Sequence, residues 1–367
     1  MTISTPLVAC HLSFVNFKLV TLNYFIMKIS FSIFLILLSI PLLSMKNDKP
    51  AYRIFNAKGH MVDYKDLLKV ANRSDIIFFG EIHSDPICHW LELELTKDLY
   101  AEKGHNLVLG AEMFEADNQL LLNEYTSKMI RKKDFEAEAK LWPNYKTDYA
   151  PIVDFAREKG LKFTATNIPR RYAVLVNFHG FEGLDSINAM ERGMIAPLPI
   201  KYPDTLECYA SIVKNVGDGM PAHLTANLGK AQAIKDATMS HFLMKSAFGE
   251  KTILHFNGSY HSDNYQGIVW YVQQAIRKTS FEPKILTISC LEQENVDTIS
   301  KEDAAKADFI IIIPSSMTTT QPPDPSVMMS LPPQAKPEGK PRETSPKSET
   351  KGKIDSDKSE SSDDDDD

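Results

Sequence analysis

Two stretches of the chain place glycine, two variable residues, histidine, serine and aspartate in the same order. The first is "DIIFFGEIHSDPICHW" (75–90) and the second is "TILHFNGSYHSDNY" (252–265). Both follow an apolar run, so Glu81 and His83 in the first, and Tyr260 and His261 in the second, fall just past a strand end. Glu112 in "LVLGAEMFE" holds a similar place, and so do Asn167 and Arg170 in "FTATNIPRR". Two imidazoles with one or two carboxylates could hold Zn²⁺ or Mn²⁺ and leave a position open for water. The set Glu81, His83, Glu112 and His261 could equally serve as general acid and base without a metal. A capped turn would explain Asp85 and Asp263, and the serines beside them. It would not explain the histidines.

A second chemistry is carried by tyrosine. Tyr202 and Tyr209 lie in "LPIKYPDTLECYASIV", near Met194, Met220 and His223. A phenolate can ligate ferric haem, and soft apolar residues suit the macrocycle. Tyrosines in loops are common, so this pattern is weak alone.

These groups must be held by something. Short apolar runs at Ile76–Gly80, Asn106–Gly110, Lys162–Thr166, Thr252–Phe256, Lys284–Ser289 and Phe309–Ile313 read as strands buried on both faces. Amphipathic stretches separate most of them, which predicts an α/β layered fold with a central parallel or mixed sheet. Side chains just past the carboxyl ends of such strands converge on a ligand crevice. The glycine ahead of each motif is expected to let the backbone turn sharply out of its strand.

Two helices are well signalled. Asp85 can cap the first, Pro86 suits its first position and Gly104 ends it. Ile87, Leu91, Leu95 and Leu99 form its apolar stripe. The second covers 227–249, with Ala231, Ile234, Thr238 and Phe242 on one side and Gln232, Asp236 and Ser240 on another. The pattern reads that polar row as a solvated face.

The 367 residues carry a formal net charge of −7, which gives no electrostatic case for nucleic-acid binding. Met27 to Met45 reads as a signal peptide, with "FSIFLILLSIPLL" (31–43) too short for a comfortable membrane span. Residues 1–26 then read as an upstream extension, and the mature protein is expected outside the cytoplasm. Of Cys10, Cys88, Cys208 and Cys290, the last three survive processing, so a disulfide framework is not expected. One α/β domain is expected over 50–315. From 318 to 367 the chain turns to Pro, Ser, Lys and Asp without an apolar period, which predicts a disordered tail.

The chain resembles the haem-binding, iron-regulated lipoproteins of the ChaN type, within the Tiki/TraB/erythromycin-esterase-like group. The resemblance spans roughly 52–315. It rests, in order, on "FFGEIHSDPICHWLELEL", "LVLGAEMFEADNQLLLNEY", "LWPNYKTDYAPIVDFAREKGLKFTATNIPRR", "KAQAIKDATMSHFL" and "ILHFNGSYHSDNYQGI". Paired Gly-x-x-His motifs with an acidic residue between them mark the wider group, and match Gly80–His83, Gly258–His261 and Glu112. The resemblance implies haem as ligand, bound through a tyrosine for which Tyr202 and Tyr209 are candidates. Tyr260, Asn167 and Arg170 are counted with them as cofactor-binding candidates. It also implies a homodimer formed on haem binding, a role in haem or iron uptake, and membrane-associated transport components as partners. A periplasmic, outer-membrane or cell-surface location follows, although no lipid-attachment cysteine follows the apolar segment. Distant members include metal-dependent proteases, which would share the His/Glu set, so a metal-dependent hydrolase is the alternative.

Overall fold

A computed structural model describes residues 49–215, 226–247 and 251–320. The expected extension and signal peptide (1–45), Met220, His223 and the tail from 321 onward lie outside the described residues.

The described residues form an eight-stranded mixed sheet. Its strands are β1 (Arg53–Asn56), β2 (Met61–Val62), β3 (Ile76–Glu81), β4 (Leu107–Glu115), β5 (Lys162–Asn167), β6 (Thr252–Gly258), β7 (Ile285–Gln293) and β8 (Phe309–Pro314). The spatial order is β2-β1-β8-β7-β3-β6-β4-β5. β1 runs antiparallel to β2 and β8, and the remaining pairs are parallel. β3 and β6 are buried along their whole length, which is why they read as unbroken apolar runs rather than alternating ones.

β6 lies between β3 and β4, with Glu81 opposite Gly258 in register. The two Gly-x-x-His motifs therefore leave adjacent parallel strands at the same edge. β4 continues to Glu115, beyond the end expected at Gly110, because Ala111 to Phe114 are all buried. Its pairing with β5 shifts register between Ala111 and Glu115, and Glu112 falls in that irregular stretch. An irregularity of this kind re-aims a side chain next to a site.

Helices α1 (Tyr64–Ala71), α2 (Pro86–Lys103), α3 (Gln119–Thr126), α4 (Lys132–Glu138), α5 (Ala150–Lys159), α6 (Arg170–His179), α7 (Glu207–Asn215), α8 (Leu228–Ser246) and α9 (Gly267–Ile276) flank the sheet. α2 starts as expected: the Asp85 carboxylate accepts from the Ile87 and Cys88 amides, and Pro86 takes the first position. It buries Leu91, Leu95 and Leu99 in the main core, each contributing about 1.5–3 kcal/mol.

α8 departs from expectation. Gln232, Asp236 and Ser240 are buried, as are Ile234 and Thr238 on the other side. The helix packs against β5, α6, α7 and α9, so it has no broad solvated face. The second motif departs as well. Asp263 does not cap a helix, since α9 begins at Gly267 with Gln266 before it and no side-chain cap.

Nor do the motif glycines act through turning. Gly258 has a φ of −52°, which any residue adopts. A Cβ there would lie 2.7 Å from His83 Nε2, and one at Gly80 would lie 2.9 Å from the Ser259 backbone. Close approach, rather than a left-handed turn, is what excludes a side chain.

Candidate functional site

The carboxyl ends of β3, β6 and β4 bring Glu81, His83, Glu112 and His261 into one buried patch. They are arranged as two pairs. His83 Nδ1 is 2.7 Å from Glu81 Oε1, and His261 Nε2 is 3.2 Å from Glu112 Oε1. The His83 ring tip lies against Gly258, whose amide donates to Glu112 Oε2 at 2.9 Å. That contact joins the two pairs.

His261 has a second carboxylate on its other nitrogen. Nδ1 is 2.5 Å from Oδ1 of Asp236, which projects from α8. Burial opposes charge on the ring, yet Glu112 and Asp236 outweigh it and push the His261 pKa up to about 10. Burial likewise works against the Glu112 carboxylate, but His261 holds it well below the usual carboxylate range. For Glu81, burial is outweighed by the charge of His89 and the hydrogen bond of His83, and its pKa falls to about 2. His261 is thus a fixed cation between two anions.

Asn167 donates from Nδ2 to the Glu112 carbonyl at 3.0 Å and so braces the β4 backbone. Lys235, buried on α8, carries a pKa lowered by burial, against the pull of Glu112 and Asp236. Arg170 is half-buried at the start of α6, on the Lys235 side of the site.

The tyrosines fall on a neighbouring face. Tyr209 is buried and its hydroxyl donates to Asp236 Oδ2 at 2.6 Å. Burial and the Asp236 charge push its pKa well up, so it is poorly placed to become a free phenolate. Tyr202 is half-buried; its ring centroid is 5.9 Å from that of Phe181 and 5.8 Å from that of Tyr209. Its hydroxyl abuts Gly229, where a Cβ would collide. Phe181, Met194, Leu206, Leu228, Tyr260 and Trp270, like Tyr202, are partly buried and pack against the second apolar cluster. Lys230 Nζ sits 5.9 Å from the Phe181 ring and Lys201 Nζ 5.4 Å from the Trp270 ring. A macrocycle with two carboxylates needs an oxygen ligand, apolar contacts and cations; Tyr202, the apolar residues of this cluster and the two lysines are groups of those kinds.

Sequence reasoning missed Asp236, His89 and Glu92. His89 and Glu92 lie one turn apart on α2, next to its apolar stripe, and both are buried. The signal for Asp236 was the run of small residues Gly229, Ala231, Ala233 and Ala237, which suits a helix enclosed on several sides.

Residues 67–272 match the family described as "Haem-binding uptake, Tiki superfamily, ChaN". The chain belongs to that family. Among solved structures, "Cofacial heme binding to ChaN of Campylobacter jejuni" aligns at 17% identity over 71% of this chain and 96% of that one, with a TM-score of 0.55. The likeness is one of fold. An open-conformation structure of the erythromycin esterase EreC aligns at 9% identity over 74% and 99% of the two chains, with a TM-score of 0.43. The Arabidopsis thaliana protein RETICULATA-RELATED 5, chloroplastic, is 28% identical over 128 residues, 33% of this chain. This chain spans only 17% of that relative's length.

Proposed function

We propose that this member of the haem-binding-uptake ChaN family binds haem near Tyr202, whose phenolate would be the iron's oxygen ligand. The observation that carries the reading is the contrast between the two tyrosines. Tyr209 is buried and bonded to Asp236, whereas Tyr202 is half-buried among apolar residues, two of which, Phe181 and Trp270, carry Lys230 and Lys201 against their rings. When bound, haem supplies an iron centre that one oxygen ligand can hold, and these apolar residues take up its apolar faces. Lys201 and Lys230 would meet the propionates. The His261–Asp236–Tyr209 chain ties α7 and α8 to the end of β6.

In this reading the protein is exported and works in haem or iron uptake, passing its ligand to membrane-associated transport components. Two loaded copies pair through the exposed faces of their haems. Titration of the purified protein with haemin, followed by visible absorption, tests the ligand, and sedimentation of the loaded sample tests the pairing. Loss of the absorption change in Tyr202→Phe supports the assignment.

One observation favours a second reading. The Glu81–His83 and Glu112–His261 pairs form a buried acid–base array at the sheet's carboxyl edge, which suits hydrolysis with or without a metal. Turnover of small ester and amide substrates, lost in His83→Ala and His261→Ala, would establish it.

A further inference from the structure

Behind Glu81, away from His261, three more ionisable side chains are buried that the haem reading leaves unused. Glu81 Oε1 already receives two donors: the Tyr149 hydroxyl at 2.5 Å, and His83 Nδ1 at 2.7 Å. Its other oxygen, Oε2, meets no donor at hydrogen-bonding distance, although it is fully enclosed. On α2, Glu92 Oε1 is enclosed and equally without a donor. His89 lies beside both carboxylates, with Nδ1 2.9 Å from Glu92 Oε2 and 3.9 Å from Glu81 Oε2. One ligand atom from each of Glu81, His89 and Glu92 lies within 4.8 Å of the other two.

The orientation of His89 decides what these atoms can bind. Its Nε2 is 3.1 Å from the His83 carbonyl, which only accepts, so Nε2 carries the hydrogen. Asp148 Oδ2, 3.6 Å from the same nitrogen, reinforces that tautomer, and is itself held by Asn144 Nδ2 and the Thr320 hydroxyl, each at 2.6 Å. With Nε2 engaged in this way, Nδ1 faces the two carboxylates, and a proton lies between it and Glu92 Oε2 until an ion takes the Nδ1 lone pair in its place. An imidazole fixed through its far nitrogen by a carbonyl and a carboxylate is the usual support of a metal-binding histidine. Carboxylate and imidazole acceptors converging without donors require protons or a cation among them.

We propose that Glu81, His89 and Glu92 form a site for one first-row divalent cation, of the Zn²⁺ or Mn²⁺ class. The ligand set of one nitrogen and two carboxylates suits these borderline ions. The site shares Glu81 with the histidine–carboxylate patch and has no residue in common with the Tyr202 cluster. It joins β3 to the first two turns of α2, and Tyr149 and Asp148 secure it from the segment before α5. Without the ion, Glu92 has to carry a proton beside the ionised Glu81. Burial, and then the Glu81 charge, keep the Glu92 carboxyl protonated well above its usual range. The ion displaces that proton when it binds.

Glu92→Gln makes the sharpest test, because the amide can donate to Glu81 Oε2 as the protonated carboxyl does, and so preserves the metal-free fold. Protein stripped with EDTA is titrated with Zn²⁺ alone and with Mn²⁺ alone in two buffers of different ionisation heat. The wild type is expected to take up one equivalent of at least one ion, release about one proton, and melt at a higher temperature when loaded. Glu92→Gln and His89→Ala are expected to weaken uptake at least tenfold, while Glu92→Gln melts in EDTA no lower than the wild type. Wild-type protein that takes up neither ion, or uptake unchanged in Glu92→Gln, overturns the proposal. Haemin titration of Glu92→Gln is expected to match the wild type, so failure of this site and failure of the haem reading are told apart.

Discussion

His261 and Asp236 are 25 positions apart in the chain, and their side chains meet at 2.5 Å between Nδ1 and Oδ1. The contact joins the second Gly-x-x-His motif to a helix whose polar row reads as solvated when taken alone. With Glu112 on the opposite nitrogen, it makes His261 a buried cation between two carboxylates.

Removing one anion should show in the histidine itself. Asp236→Asn keeps the shape and deletes the charge, so the His261 pKa should fall by at least about 1 unit, equivalent to about 1.4 kcal/mol. Proton NMR of the ring signals across pH reads this directly. An unchanged titration would place the stabilisation of the cation elsewhere.

The raised His261 pKa also fixes a pH dependence. A group whose pKa is higher folded than unfolded stabilises fully below its unfolded value, about 6.5 for histidine. That stabilisation is lost as pH rises toward about 10. Glu112 acts in the opposite sense: its contribution is present above about 4.3 and is lost as pH falls. Denaturation midpoints should therefore be highest between about 4.3 and 6.5 from these two groups, and decline by on the order of 3 kcal/mol by pH 10. In His261→Gln the decline above pH 7 should flatten, with overall stability about 3–5 kcal/mol lower because two buried carboxylates then lose the cation between them.

Gly258→Ala tests the close approach of the two motifs. The added Cβ would stand 2.7 Å from His83 Nε2, so the ring must move off Glu81 or β6 must shift. A loss of about 1–3 kcal/mol is expected by chemical denaturation. Full stability in that variant would show that the His83 ring is free to swing away.

Much of this arrangement is written in local pattern. Unbroken apolar runs such as Ile76–Phe79 and Thr252–Phe256 mark strands enclosed on both faces, and the residues just beyond them can face only one edge. Glu81, His83, Glu112 and His261 are legible for that reason, and so is the cap at Asp85. β1 and β2 are not, because four- and two-residue antiparallel strands at a sheet margin carry little pattern. Asp236, His89 and Glu92 are hidden for a different reason. Each is a polar residue on a helix whose burial is decided by what packs over it, and helical spacing records a face without recording its cover. Asp263 repeats the sequence context of Asp85 but not its role, since Asn264, Tyr265 and Gln266 intervene before the next α-helix.

The two tyrosines separate the haem reading from a purely structural one. Tyr209→Phe removes the hydrogen bond to Asp236 and should cost about 1 kcal/mol of stability, while leaving haem affinity within about twofold. Lys201→Ala and Lys230→Ala together should weaken haem at least tenfold if both cations meet propionates, read from the same absorption titration.

The most direct measurement is haemin titration of wild-type and Tyr202→Phe protein, followed through the Soret and phenolate charge-transfer bands. The account predicts a saturable Soret shift with a charge-transfer band in the wild type. In Tyr202→Phe it predicts loss of that band and at least a tenfold weaker affinity. A wild-type protein that leaves the haemin spectrum unchanged, or a Tyr202→Phe variant with the full wild-type spectrum, would contradict it.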